Sequence, residues 1–291
     1  MSTTDAYTQL LDATISHLES LKNRGARFVS VSPENLAALT QATPRRTAPA
    51  APAPVPSAPI ARPSVAPISA PAPAPAQVAT APVSEAKAAA FAELRARALV
   101  CVKCPNLASS RKNVVFGVGS PDASLMFVGE APGADEDQQG EPFVGKAGQL
   151  LTKIIQTMGF SRSSVYIANI LKCRPDTPGQ SAGNRKPTPE EMQTCIPYLH
   201  EQIDLIQPKV IVALGATAVE GLLGKTIGIT KLRGQWRTYR NIPLMPTYHP
   251  AYLLRNQALS EKRRVWEDML AVLEKLGAPV SEKQRGFFLK A

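Results

Sequence analysis

Long apolar runs are missing from this 291-residue chain. None is long enough to cross a bilayer, and the first residues lack the charged-then-apolar pattern of a secretory signal. A membrane helix is therefore excluded, and the chain is expected in the cytoplasm. Cysteine is scarce: four thiols fall as Cys101 and Cys104 in a C-x-x-C pair, then Cys173, then Cys195. In a reducing compartment such a set is not a disulfide framework; its spacing points to a four-thiolate metal site. Zinc and iron–sulfur both accept four thiolates, so spacing does not separate them. The competing reading is a set of buried apolar thiols. Histidine is scarcer still, at three residues. No internal repeat is visible. Lys146 follows a glycine but precedes Ala147 rather than Ser or Thr, which argues against a nucleoside-triphosphate loop.

Positive charge is abundant. The net charge of +10 favours a polyanionic partner, nucleic acid first, although charge alone is weak evidence. A hydrophobic fraction of 44% is ample for a core. Proline and alanine concentrate between Pro44 and Pro82, a composition that cannot bury enough surface to order itself. The chain thus divides into an N-terminal segment (1–43), a disordered Pro/Ala linker (44–83) and a body (84–291). In the first segment Leu10, Leu11, Thr14, Ile15, Leu18 and Leu21 recur at helical spacing. A lone amphipathic helix must dock on the body or on something else, and a protein partner is one expectation. No oligomer seam is evident, so a monomer is expected.

Within the body, short apolar runs alternate with helical patterns, which predicts an α/β fold around a mostly parallel four-stranded sheet. Strands are expected at Ser124–Gly129, Val165–Ile170, Val210–Leu214 and Ile242–Tyr248. Helices are expected at Ala147–Met158, Pro189–Ile206, Ala216–Leu223 and Ser260–Leu276. Thr188 before Pro189, Glu190 and Glu191 combines a cap, a first-turn proline and acids at the positive helix end.

The unusual polar segments follow those strands, where open α/β sheets bind ligands. Gly129-Glu130-Ala131-Pro132-Gly133 leads through an acidic stretch containing Glu136 to Pro142-Phe143-Val144-Gly145. Phe143 suits stacking on a base or packing in the core. Asn169 ends an apolar strand, where a carboxamide is costly unless satisfied; it can read a base edge or tie two loops together. His249 ends the last strand and is locked by Pro250. Leu253 and Leu254 beside Arg255 offer apolar tips among cations, as a duplex wedge needs, while a solvated helix face is the commoner meaning of such runs.

Taken in order, these segments resemble a family 4 uracil-DNA glycosylase, the iron–sulfur-containing bacterial and archaeal type. The resemblance runs from about Ala92 to Leu276. It rests on the C-x-x-C pair, GEAPG followed by PFVGKAGQLL, N-x-x-x-C-R-P, the isolated Cys195 after TPEE, and YHPAYLL. It implies a three-layer glycosylase fold and a hydrolase that flips uracil out of DNA and releases it, leaving an abasic site. It also implies a [4Fe–4S] cluster on Cys101, Cys104, Cys173 and Cys195. Phe143 would stack on uracil, Asn169 would bond N3 and O4, and His249 would donate to O2. Leu253, with Leu254 and Arg255 beside it, falls where relatives insert a leucine into DNA. Glu130 and Glu136 are the acidic candidates near the sugar or the uracil 5-position. Ala131 stands in the substrate-binding loop where the broader superfamily can carry a water-positioning aspartate, so that role either shifts to Glu130 or is replaced by electrostatic stabilisation alone.

Three other readings compete. A non-catalytic nucleic-acid binder has no need of both Asn169 and His249. A glycosylase that traps DNA covalently would carry a histidine after its arginine-rich loop, whereas Arg185-Lys186-Pro187 carries none. A zinc-stapled structural protein differs in its metal.

Overall fold

The computed structural model describes residues 85–176, 184–224 and 227–289. The expected N-terminal helix and Pro/Ala linker lie outside the described residues, as does most of the segment between Cys173 and Cys195 that precedes Asn184. Helices α1 (Glu85–Leu99) and α2 (Pro105–Ser110) lead to strands β1 (Val118–Gly119) and β2 (Leu125–Gly129). Helices α3 (Ala134–Gln139) and α4 (Lys146–Thr157) precede β3 (Tyr166–Asn169), α5 (Pro189–Ile206) and β4 (Val210–Leu214). Then come α6 (Ala216–Leu223), α7 (Ile229–Leu232), β5 (Arg237–Tyr239), β6 (Ile242–Thr247), α8 (Pro250–Arg255), α9 (Leu259–Leu276) and α10 (Glu282–Gly286).

The strands form one sheet in the order β1-β3-β2-β4-β6-β5. The four expected strands are the parallel centre, β3-β2-β4-β6. Two short antiparallel strands, β1 and β5, extend it to six at the edges. All five residues of β2 and of β4 are buried, which explains their unbroken apolar runs: a parallel strand covered on both faces has no polar side to show. Side chains alternate between the faces. Met126, Val128, Ile211 and Ala213 meet Leu94 of α1, Leu199 and Ile203 of α5 and Val219 of α6. Leu125, Phe127, Val210 and Val212 meet Leu151 and Ile155 of α4 and Met269 and Leu273 of α9. The result is three layers, helices on either side of the sheet.

Helix α5 begins as its sequence demands. Thr188 Oγ1 accepts from the Glu191 amide at 3.2 Å while Glu191 Oε2 accepts from the Thr188 amide at 2.9 Å. This start fixes the phase of Cys195 two turns later. No helix among the described residues is long and apolar enough to cross a membrane.

Candidate active site

Parallel order brings three strand exits to one end of the sheet. Gly129 closes β2 in register with Asn169, which closes β3, and β4 separates them from the exit of β6 at Thr247. A side chain at 129 has no room. A Cβ there would stand 2.4 Å from Asn169 Oδ1 and 2.5 Å from Phe143 Cζ, so the carboxamide and the ring close over bare backbone. Asn169 is buried, and among the described residues its Oδ1 is the one buried side-chain polar atom without a hydrogen-bond partner. Leaving such an acceptor unpaired costs about 1–3 kcal/mol, so it calls for a partner to complete it.

Phe143 is buried and adopts a left-handed backbone, φ 56°. Its carbonyl lies so close to α4 that a Cβ on Gly148 would come within 1.8 Å of it; only glycine fits there. The Phe143 ring faces His249, centroids 5.6 Å apart and planes inclined by 31°. His249 caps α8, its Nδ1 accepting the Ala251 amide at 3.1 Å. A neutral ring so bonded carries its proton on Nε2. Burial, assisted by Arg255 and opposed by Glu136, pushes its pKa down to about 4, so the ring is neutral at physiological pH. Gly215, at φ 93°, gives the histidine its space: a Cβ there would touch His249 Cβ at 3.0 Å.

The acids sit differently. Glu136 points its carboxylate at backbone: Oε2 accepts the Gly133 amide, and Oε1 those of Val144 and Gly145, each at 3.0 Å. It ties the loop after β2 to the turn carrying Phe143. Glu130 and Ala131 lie half-buried on the β2 exit, where the Glu130 carbonyl accepts the Leu171 amide at 3.1 Å. The returning Asn184 donates to the Pro132 carbonyl at 2.9 Å, so the segment after Cys173 touches the same loop.

The three residues expected at the duplex, Leu253, Leu254 and Arg255, all lie on α8. Leu253 is buried with Tyr248 and Val265 beneath α8, while Leu254 is 39% exposed and Arg255 is exposed. Consecutive helical residues diverge by about 100°, which turns Leu253 toward the body and leaves Leu254 partly exposed, although both line one cavity with Leu150 and Ile154. As the helix stands, the exposed leucine is Leu254.

The four thiols line one cavity with Leu107, Arg111, Leu171 and Thr194. Cys101 and Cys104 are half-buried, and Cys173 and Cys195 are buried. Two receive donors, Cys173 from Arg111 Nη1 at 3.2 Å and Cys195 from the Lys172 amide at 3.3 Å. Burial pushes the Cys195 thiol up to about 12 and raises Cys173 and Cys104, with neighbouring thiols adding to the effect. Thiolates so crowded need a bound cation to persist, which is the chemistry of a metal-loaded donor set. Among the described residues no group of three or more His, Cys, Asp or Glu closes on a point as a single metal ion requires.

Two supporting residues escaped sequence reasoning. Lys172, beside Cys173, is buried, its amine donating to the Asn169 carbonyl at 3.0 Å and to Gln202 Oε1 at 2.6 Å. Arg162 sits in a serine-rich turn with nothing in its neighbours to mark it.

The model of the uracil DNA glycosylase superfamily matches residues 116–270, and the chain belongs to that superfamily. Within it, the type-4 branch is the nearer of the two branches compared. The type-4 uracil-DNA glycosylase of Thermotoga maritima is 47% identical over 58% of this chain and 85% of its own length. That of Sulfurisphaera tokodaii is 39% identical over 68% of this chain and 89% of its own. The type-5 uracil-DNA glycosylase of Thermus thermophilus is 29% identical over 60% and 90%.

Proposed function

We infer that the chain hydrolyses the N-glycosidic bond of deoxyuridine in DNA, releasing uracil and leaving an abasic site. The observation that carries this reading is the unpartnered Asn169 Oδ1 beside the Phe143 ring, both drawn close over the bare backbone of Gly129 at the end of β2. Uracil presents an N3–H donor to that oxygen and an O4 acceptor to the carboxamide nitrogen. Cytosine presents an acceptor and an amine, the reverse pattern, so both bonds turn into repulsions.

The reaction begins with extrusion of the base, at a cost of a few kcal/mol that is least for a poorly paired uracil. Phe143 stacks on the extruded ring. As the bond from C1′ to N1 lengthens, negative charge collects on uracil, and the His249 Nε2–H donates to O2. Such a preorganised donor contributes about 2.7–4 kcal/mol, because it strengthens as charge develops. Glu130 is the acid assigned to the positive sugar and the attacking water, with Ala131 leaving room beside it. Glu136, with its oxygens held by three amides, shapes the pocket near the uracil 5-position. Leu254, with Leu253 packed beneath it and Arg255 beside it, enters the duplex.

Cys101, Cys104, Cys173 and Cys195 hold a [4Fe–4S] cluster on this reading, which supplies structural cross-linking and takes no part in bond cleavage. The support for the site is that all four thiols line one cavity; the choice of cluster over zinc rests on the likeness to type-4 uracil-DNA glycosylases. The body acts as a monomer in the cytoplasm, and the segment 1–43 recruits a protein partner through the linker 44–83.

The test of the base-reading claim is Asn169→Asp assayed on oligonucleotides carrying uracil or cytosine. The expected outcome is a loss of uracil excision of roughly 10²-fold and a lower uracil-to-cytosine ratio. An unchanged ratio would make Asn169 a loop tie and remove it from recognition.

A further inference from the structure

The turn that presents Phe143 is gripped from both ends of its peptide dipoles. On one side Glu136 takes the Val144 and Gly145 amides. On the other, Arg162 in the loop between α4 and β3 donates Nη2 to the Pro142 carbonyl at 2.8 Å. Its Nη1 reaches the Phe143 carbonyl at 3.1 Å and Thr152 Oγ1 at 3.3 Å. A planar guanidinium suits this task, because two fixed N–H vectors can bridge adjacent carbonyls where a lysine offers one point charge.

The grip answers a cost. A left-handed backbone is uncommon for a residue with a bulky side chain and persists only where its surroundings over-determine it. Phe143 has that conformation. In relaxed backbone its ring would leave the position between Gly129 and His249. Gly148 makes the turn possible by admitting the Phe143 carbonyl against α4, but a glycine supplies room and no force.

We propose that Arg162 is a positioning residue for base recognition: it holds Phe143 in the left-handed conformation that keeps the aromatic platform in place. This rests on the reading of Phe143 as the surface on which uracil stacks. Arg162 itself touches no substrate; it acts through the ring.

The experiment is a double-mutant cycle. Wild type, Arg162→Met, Phe143→Ala and the double variant are compared on a uracil-containing oligonucleotide for kcat and KM separately. Thermal midpoint and affinity for abasic-site DNA are measured alongside. Arg162→Met is expected to raise KM about tenfold, with affinity for abasic DNA, which offers no base to stack, within about twofold of wild type. In the Phe143→Ala background, removing Arg162 is expected to cost nothing further, because the group it positions is gone. Arg162→Lys retains the charge and should recover only part of the loss, which keeps the test usable should the methionine variant fold poorly. Additive losses in the cycle, or unaltered KM in both Arg162 variants, would overturn the proposal. A Phe143→Ala variant with wild-type KM would instead sink the stacking reading on which it rests.

Discussion

The residues of the pocket divide by whether their polar groups are spent. His249 has used Nδ1 on the Ala251 amide, which leaves Nε2–H free to donate. Glu136 has used both oxygens on backbone, and Asn169 keeps one acceptor in reserve. The neutral histidine sets the pH dependence. Its pKa lies near 4, lowered from the usual value of about 6.5 by burial and by Arg255. Protonation at Nδ1 would set a donor against the Ala251 amide and break the bond that orients the ring, so activity should hold as pH falls through 6.5 and decline only toward 4. A kcat/KM profile with its acid limb near 6.5 would show that His249 titrates as a solvated histidine and that the pocket is open to water. At this scale the sequence was partly legible. Asn169 and His249 stood out because each ends an apolar strand, and polarity there is conspicuous. Arg162 and Lys172 did not, because a basic residue in a polar stretch or beside a ligand looks solvated until burial is seen.

Elements were legible in proportion to how strongly their own sequence commits them. Strands β2 and β4 are buried on both faces, and α5 carries a complete capping box, so their bounds follow from composition and spacing. Helix α1 is alanine-rich with little patterning, and β1 and β5 are two and three residues long, too short to show a period. Packing against neighbours defines them. Helix α8 shows the same limit for side chains: two adjacent leucines are equivalent in sequence, and only the phase of the helix on the body separates them. The consequence is testable. Leu253→Ala should lower stability by about 2–5 kcal/mol in denaturant unfolding. Leu254→Ala should leave stability within about 0.5 kcal/mol while weakening excision from duplex DNA more than from single strands. Equal effects of the two on duplex excision at matched stability would reject Leu254 as the wedge.

Across the whole molecule, the cysteine cavity and the pocket meet through one short stretch. The Asn169 carbonyl accepts from the Lys172 amine, and the next residue, Cys173, lines the thiol cavity. Anaerobically purified protein should show broad visible absorption with iron and sulfide in cluster proportion; zinc in their place would return the site to a structural staple. Deleting Met1–Val83 should leave uracil excision by the body intact, and its loss on purified DNA would show that the N-terminal segment serves catalysis rather than recruitment. The central claim, uracil excision driven by the His249 donor, is tested most directly on a labelled uracil-containing oligonucleotide treated with alkali after incubation. Wild type is predicted to give strand scission at the uracil, and His249→Ala to slow it by about 10²–10³-fold at unchanged DNA affinity. No scission by wild type, or scission by His249→Ala at the wild-type rate, would contradict the account.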